Sequence, residues 1–142
     1  EHGYIESPFG RREYLPNINN GNDSGLQNAA RRAAMNMPVQ SGASDITQLA
    51  LACLMARIKD YPAKIVNTVH DSIIIDVCHI NMVEDIAKLA VDVMTDIRHY
   101  GGTDFPQISL DWLLDVPLKA DVEVGRYYGT KCSLEDWRYE IC

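Results

Sequence analysis

The sequence predicts an α+β fold, in which helices pack on one face of a small antiparallel sheet. Residues 64–69 and 72–78 are two β-branched runs separated only by His70-Asp71, which is typical of a tight hairpin. A last β-rich run, residues 118–124, is expected to join this hairpin as a third strand. Apolar residues recur at helical spacing before and after the hairpin.

The N-terminal third predicts a second hairpin followed by a helix. Residues 3–15 contain a Ser-Pro-Phe-Gly turn between two extended runs, and residues 17–25 are rich in turn formers. Asp23 or Ser24 is expected to cap a helix that reaches about Asn36. We expect Pro38 to end that helix, because proline lacks a backbone N–H and disfavours a helical residue before it.

Two further helices are predicted on either side of the central hairpin. The first begins at Ser41 or Ser44 and reaches about Asp60, and the second covers about residues 81–100. Asn81 and Glu84 resemble a capping box for the second helix, and a glycine pair follows its end. Residues 126–142 show no pattern that assigns them an element.

Composition points to a globular protein of the cell interior. The 142 residues are 46% hydrophobic and 23% charged, which suffices for an apolar core. The longest unbroken apolar run, residues 49–56, is too short to span a bilayer, and no signal peptide is evident. The four cysteines show no paired spacing and are expected to be reduced thiols. The chain starts at Glu1 rather than Met, so we expect a piece of a longer protein or a processed product.

Charge is distributed unevenly along the chain. The net charge of -7 argues against a nucleic-acid partner. Residues 1–36 are neutral, however, and their four basic residues form the adjacent pairs Arg11-Arg12 and Arg31-Arg32. Arginine is the side chain that best forks onto phosphates and base edges. The alternative interpretation is solvated surface charge.

Hydrogen-bond donors recur along one face of the first predicted helix. Asn28, Arg32 and Asn36 are four residues apart, and Gln40 continues the line past Pro38. In the DNA minor groove, purine N3 and pyrimidine O2 are acceptors at nearly the same place in every base pair. Donors aimed there can test base pairing without reading sequence. The alternative is an ordinary solvated helix face.

The turn at His70-Asp71 is chemically unusual. Two-residue hairpin turns favour Asn-Gly or Asp-Gly, so His-Asp is a poor steric choice. A carboxylate at this place is a hard oxygen ligand suited to Mg²⁺. Alternatively, Asp71 hydrogen-bonds the backbone of its own turn. One carboxylate does not make a metal site, so another ligand must come from elsewhere.

Four blocks of sequence together resemble the C-terminal part of the DNA polymerase I family, the family A DNA polymerases. They are residues 3–16 (GYIESPFGRREYLP), residues 32–46 (RAAMNMPVQSGASDI), residues 69–71 (VHD, the family's motif C) and, more weakly, residues 116–118 with 122–125. Their common order and spacing make the resemblance stronger than any single block would. The departures from the family pattern described below suggest a phage-encoded enzyme.

The resemblance implies roles for particular residues. Asp71 matches the motif C carboxylate that binds the catalytic Mg²⁺ ions, and His70 matches a residue near the primer terminus. Arg32, Asn36 and Gln40 match side chains that reach the minor groove of the primer-template duplex. Further candidates for DNA contact are Arg11, Arg12, Asn28 and Arg31.

The resemblance also implies an architecture and a reaction. Residues 1–40 would be a hairpin and helix at the junction of the fingers and palm, residues 41–125 the palm core, and residues 126–142 a C-terminal tail. The reaction would be two-metal nucleotidyl transfer from dNTP to the primer 3′-hydroxyl. The expected partners are primer-template DNA, dNTP and the remaining polymerase segment, on the same or a separate chain. The expected location is the cytoplasm of a bacterium or an infected host cell, with no membrane partner.

Departures from the family pattern qualify this expectation. Ser72 stands where the family usually has Glu, and residues 41–44 differ from the usual Gly-Thr-Ala-Ala. The motif A Asp and the fingers Lys and Tyr that hold the nucleotide have no match in this sequence. We therefore expect the 142 residues alone to be inactive. The alternative is a non-catalytic, polymerase-derived DNA-binding or assembly domain.

Overall fold

The computed structural model describes residues 3–113 and 117–138 and confirms the α+β class. The helices in these residues are α1 (Ser24–Ile58), α2 (Val83–Thr95), α3 (Ile97–Asp104) and α4 (Leu134–Arg138). The strands form three two-stranded sheets: β1 (Tyr4–Glu6) with β2 (Arg12–Tyr14), β3 (Ala63–Val69) with β4 (Ser72–Val77), and β5 (Glu123–Val124) with β6 (Cys132–Ser133). None of the helices in the described ranges is long and apolar enough to cross a membrane.

The chain divides into two compact units. The first unit contains the described residues up to Leu49 together with the turn His70–Ser72. The second unit contains Ala50–Val69 and the described residues from Ile73 onwards. The boundary falls inside α1, which is continuous through residues 40 and 41. The assignment of residue ranges to palm and fingers stays a prediction.

The predicted N-terminal hairpin is present in the first unit. Tyr4 pairs with Tyr14 and Glu6 with Arg12 in antiparallel register. In the connecting turn, the buried Ser7 hydroxyl oxygen accepts hydrogen bonds from the backbone N–H groups of Phe9 (3.3 Å) and Arg11 (3.1 Å). These bonds help to satisfy the backbone donors of the turn.

The start of α1 matches its sequence signal. The carboxylate of Asp23 accepts bonds from the backbone N–H groups of Gly25 (2.9 Å) and Leu26 (3.0 Å). Two of the four unpaired donors at the helix start are thereby satisfied.

The predicted helix break at Pro38 is wrong, because α1 runs through it for 35 residues. Proline inside a helix removes the bond to the carbonyl of residue 34 and costs about 3 kcal/mol, which local propensity alone does not recover. Tertiary contacts offset this cost: Met37 beside the proline is buried. The Ser41 hydroxyl also donates to the Met37 carbonyl at 2.6 Å, next to the interrupted part of the ladder.

The second unit has its core around the β3–β4 hairpin. Ile58, Ala63 and Ile86 are buried together, and Ile65 and Ile75 from the two strands pack against them. Arg57 closes the end of α1: its guanidinium pairs with both carboxylate oxygens of Asp104 in α3. The expected packing of helices on the hairpin is therefore present.

The helices after the hairpin differ from the prediction. Asn81 lies in a short 3-10 turn, Ile80–Met82, and no side chain caps α2. The helical stretch breaks at Asp96, and α3 then continues through the glycine pair to Asp104. Gly101 is buried, so this glycine permits close packing and does not end the helix.

The predicted third strand also differs. Only Glu123–Val124 is extended, and it pairs with β6 of the tail and not with the β3–β4 hairpin. A side chain at Gly125 would place its Cβ 1.5 Å from the Thr130 carbonyl oxygen, so only glycine fits there.

Cys132 is disulfide-bonded, so the expectation of reduced thiols is wrong for it, whereas Cys53 and Cys78 are free. Val116, part of the fourth sequence block, lies outside the described residues.

Candidate functional site

All nine candidate site residues fall in the first unit, and all nine are exposed. They lie on three elements: the β1–β2 hairpin, the first part of α1, and the turn between β3 and β4. We call Asn28, Arg32, Asn36 and Gln40 the polar row. Because α1 is unbroken, the polar row continues through Pro38 and winds slowly around the helix, by about 40° at each four-residue step.

The polar row has no competing partners within the described part of the chain. No hydrogen bond or ion pair joins the side chains of Arg32, Asn36 or Gln40 to another described residue, and the same holds for Arg31. Their donors are therefore available to a ligand that offers acceptors along the helix. An amide-guanidinium-amide series at helical spacing suits an extended series of oxygen and nitrogen acceptors, such as a nucleic-acid groove.

The other two candidate arginines are engaged. Arg11 forms an ion pair with Asp45 of α1, whose side chain is only 15% exposed. Arg12 bonds to Glu6 across the hairpin at 2.7 Å, and its guanidinium carbon lies 4.8 Å from the centroid of the Tyr4 ring. The hydrogen bond from Arg12 to Glu6 is the main cause that raises the pKa of Arg12. A phosphate would have to displace these partners.

The turn between β3 and β4 contains strain at the residue before the candidate catalytic carboxylate. His70 has φ 56°, in the left-handed region that costs a non-glycine residue about 1–2 kcal/mol. Such outliers cluster at functional sites, where the surrounding structure maintains them. The Asp71 carboxylate is exposed and makes no hydrogen bond to a described backbone N–H, so the turn-capping alternative receives no support.

The described residues do not supply a complete metal site. No cluster of three or more His, Cys, Asp or Glu side chains suited to a metal occurs in residues 3–113 and 117–138. Asp71 supplies one accessible carboxylate, and the adjacent Ser72 supplies only a neutral hydroxyl. A carboxylate is a ligand type that suits Mg²⁺, but this one carboxylate does not by itself make a metal site.

Two residues that connect the hairpin to α1, Ser7 and Asp45, were not singled out as site residues from the sequence. The Ser7 hydroxyl donates to Asp45 at 3.4 Å, so Ser7 and Arg11 meet the same carboxylate. Arg11 and Asp45 are 34 positions apart. No local pattern links residues at that separation, although both fall inside the sequence blocks that carried the resemblance.

Comparison with known proteins agrees with these features. The sequence profile described as DNA polymerase family A matches residues 1–130. The thermostable DNA polymerase I of Thermus thermophilus is 33% identical over 135 residues, covering 95% of this chain and 13% of that protein. The DNA polymerase of Bacillus phage SP01 is 32% identical over 136 residues, covering 93% of this chain and 14% of that protein.

A solved structure gives the same relationship. The POL domain of Pol1 from M. smegmatis, in complex with DNA primer-template and dNTP, superposes with a TM-score of 0.60 at 31% identity. The match covers 66% of this chain and 17% of that one. This chain thus spans a small part of the length of its relatives. The profile match over most of the chain, with relatives above 30% identity, shows that the chain belongs to DNA polymerase family A.

Proposed function

We propose that this chain is the C-terminal palm portion of a template-directed DNA polymerase. The observation that supports it best is the polar row, which is exposed, unpaired within the described residues, and in the same unit as the His70-Asp71 turn. The structural relative in complex with primer-template and dNTP supports the same partners. The bacterial and phage relatives favour the cytoplasm of a bacterium or an infected cell.

In the proposed reaction, the primer 3′-hydroxyl attacks the α-phosphate of a dNTP and pyrophosphate leaves. Mg²⁺, when bound, lowers the pKa of the hydroxyl and stabilises charge on the transferring phosphoryl group. Asp71 would be one of the residues that hold the metal. Arg32, Asn36 and Gln40 would donate to minor-groove acceptors near the primer end, and His70 would contact the terminus. Fixing the end in this way supplies proximity, so these residues affect the rate of extension.

We further propose that residues 1–142 alone do not extend primers. The Asp71 carboxylate alone is insufficient for a metal site, and the described residues contain no metal-binding cluster of three or more side chains. The sequence also has no match to the fingers residues that hold dNTP. Extension by the isolated chain would contradict this division of labour.

The test of the proposed function replaces Asp71 with Asn in the complete polymerase. Loss of a metal-binding carboxylate should slow primer extension by orders of magnitude. Asp76→Asn is the matched control, because Asp76 is also an exposed carboxylate of the β3–β4 hairpin. Asp76→Asn should extend at nearly the original rate, and both variants should keep the melting temperature. Normal extension by Asp71→Asn would show that Asp71 is only a turn residue and holds no catalytic metal.

A further inference from the structure

We infer that the N-terminal hairpin and the loop after it hold α1 straight across Pro38, and we call this segment the splint. Asp45, Arg11 and Ser7 are then positioning residues for the polar row. The inference rests on the proposed function of the row as the contact to the primer end. It adds residues that act through the helix, without touching DNA themselves.

The helix has two weak points next to each other. Pro38 removes one backbone hydrogen bond from α1, and Gly42 is a poor helix former only four residues later. Three members of the polar row precede Pro38, and Gln40 lies between the two weak points. Bending there would move Gln40 out of line with Arg32 and Asn36.

One continuous segment contacts α1 on both sides of this weak stretch. Before Pro38, the Gln27 side-chain amide donates to the Ile18 carbonyl in the loop at 3.3 Å. After Pro38, the hairpin turn holds Asp45 through Arg11 and Ser7. Between these anchors, Leu15 of the segment and Met37 of the helix are each only 7% exposed. A helix that is held at two points, with a buried side chain between them, resists bending.

The anchor after Pro38 lies away from the row. Asp45 is about 140° around the helix from Gln40, and Gly42 is about 160° from it. Gly42 is buried, and a Cβ there would lie 3.9 Å from two ring carbons of Pro8, so the hairpin covers this side. The opposite side, with the polar row, remains exposed for DNA.

The experiment measures the straightness of α1 directly in the complete polymerase. Genetically encoded spin-label side chains at the exposed positions 29 and 43 should lie about 21 Å apart along the axis of a straight helix. We expect a narrow distance distribution in the unchanged protein and a broader one in Asp45→Asn. Glu6→Gln is the matched control, since it breaks the pair with Arg12 inside the hairpin and leaves α1 untouched; it should stay narrow.

A second variant tests the reason for the splint. Pro38→Ala restores the helical N–H, so Asp45→Asn in that background should regain the narrow distribution. Broadening that persists with Pro38→Ala, or an Asp45→Asn distribution as narrow as the unchanged one, would overturn the inference. Should Asp45→Asn not fold, Ser7→Ala weakens the same anchor and should broaden the distribution to a smaller extent.

The functional readout uses a primer whose terminal purine has carbon in place of N3. The unchanged polymerase should extend it about tenfold more slowly than a normal primer, the size of one good base-edge contact. Asp45→Asn should reduce this ratio towards one, and Glu6→Gln should preserve it. A preserved ratio in Asp45→Asn would refute the positioning role. An unchanged polymerase that extends no primer would refute the proposed function instead, while the distance measurement would still decide on the splint.

Discussion

The two arginine pairs of the first unit are alike in sequence and opposite in structure. Arg11 and Arg12 each meet a carboxylate, whereas Arg31 and Arg32 meet none among the described residues. The cause is the sequence around the second pair: no Asp or Glu occurs between Asp23 and Asp45, so no acid lies one turn away on α1. An arginine pair is thus an available cation only where the fold keeps carboxylates out of reach.

Among changes to the two arginine pairs and the polar row, the largest effect is expected from removing the unpaired charge of Arg32. Arg32→Ala in the complete polymerase should slow extension of a matched primer by about 5- to 150-fold, because a base-edge contact contributes ~1–3 kcal/mol. Arg12→Ala should slow extension less, because the ion pair with Glu6 neutralises the charge of Arg12 and occupies its Nε donor. Single-turnover extension with all four terminal base pairs measures both losses. Equal losses of extension rate in Arg32→Ala and Arg12→Ala would show that the two arginine pairs do not differ in their contribution to extension.

Gln40→Ala tests the hydrogen bonding of the polar row separately from its charge, because glutamine is neutral. Gln40→Ala should extend the normal primer about tenfold more slowly and become nearly indifferent to carbon at the N3 position of the primer end. The unchanged enzyme should remain sensitive to that replacement. If both proteins slow equally on the modified primer, Gln40 does not make this contact and belongs to an ordinary solvated face.

The smallest effect is expected in the salt dependence of DNA binding. Arg31→Gln should lower the slope of log K against log salt by about one, as expected when a cation that meets a phosphate is lost. The double variant Glu6→Gln with Arg12→Gln removes a whole ion pair and should leave the slope unchanged. Binding of the complete polymerase to primer-template over a range of salt concentrations measures both slopes. A slope lowered by the double variant would show that Arg12 leaves Glu6 to bind DNA.

Local signals predicted the parts of the site that depend on neighbours in sequence. The Asp23 cap, the Ser-Pro-Phe-Gly turn and the hairpin around His70-Asp71 each follow from a few adjacent residues. The four-residue spacing of the polar row needed only a helix. These features were predictable because their physical causes act within one or two turns of backbone.

The features that were missed depend on contacts between distant residues. The helix persists through Pro38 because buried neighbours and the hairpin support it, and the Arg11–Asp45 pair spans 34 positions. The strand Glu123–Val124 has only two residues, too few for its own pattern to select β6 over the central hairpin. Composition could not reveal these pairings, since many carboxylates compete for each arginine in an acidic chain.

The left-handed backbone at His70 implies a trade between stability and activity. Asparagine enters that conformation somewhat more readily than histidine because its short side chain can hydrogen-bond locally, so His70→Asn should relieve part of the strain and slightly raise the melting temperature of the complete polymerase. The same change removes the imidazole proposed to contact the primer terminus, so extension should slow. Thermal melting and extension rates on one variant test both statements, and a variant that improved in both respects would show that histidine has no purpose there. At this position, selection for thermostability alone would produce a poorer enzyme.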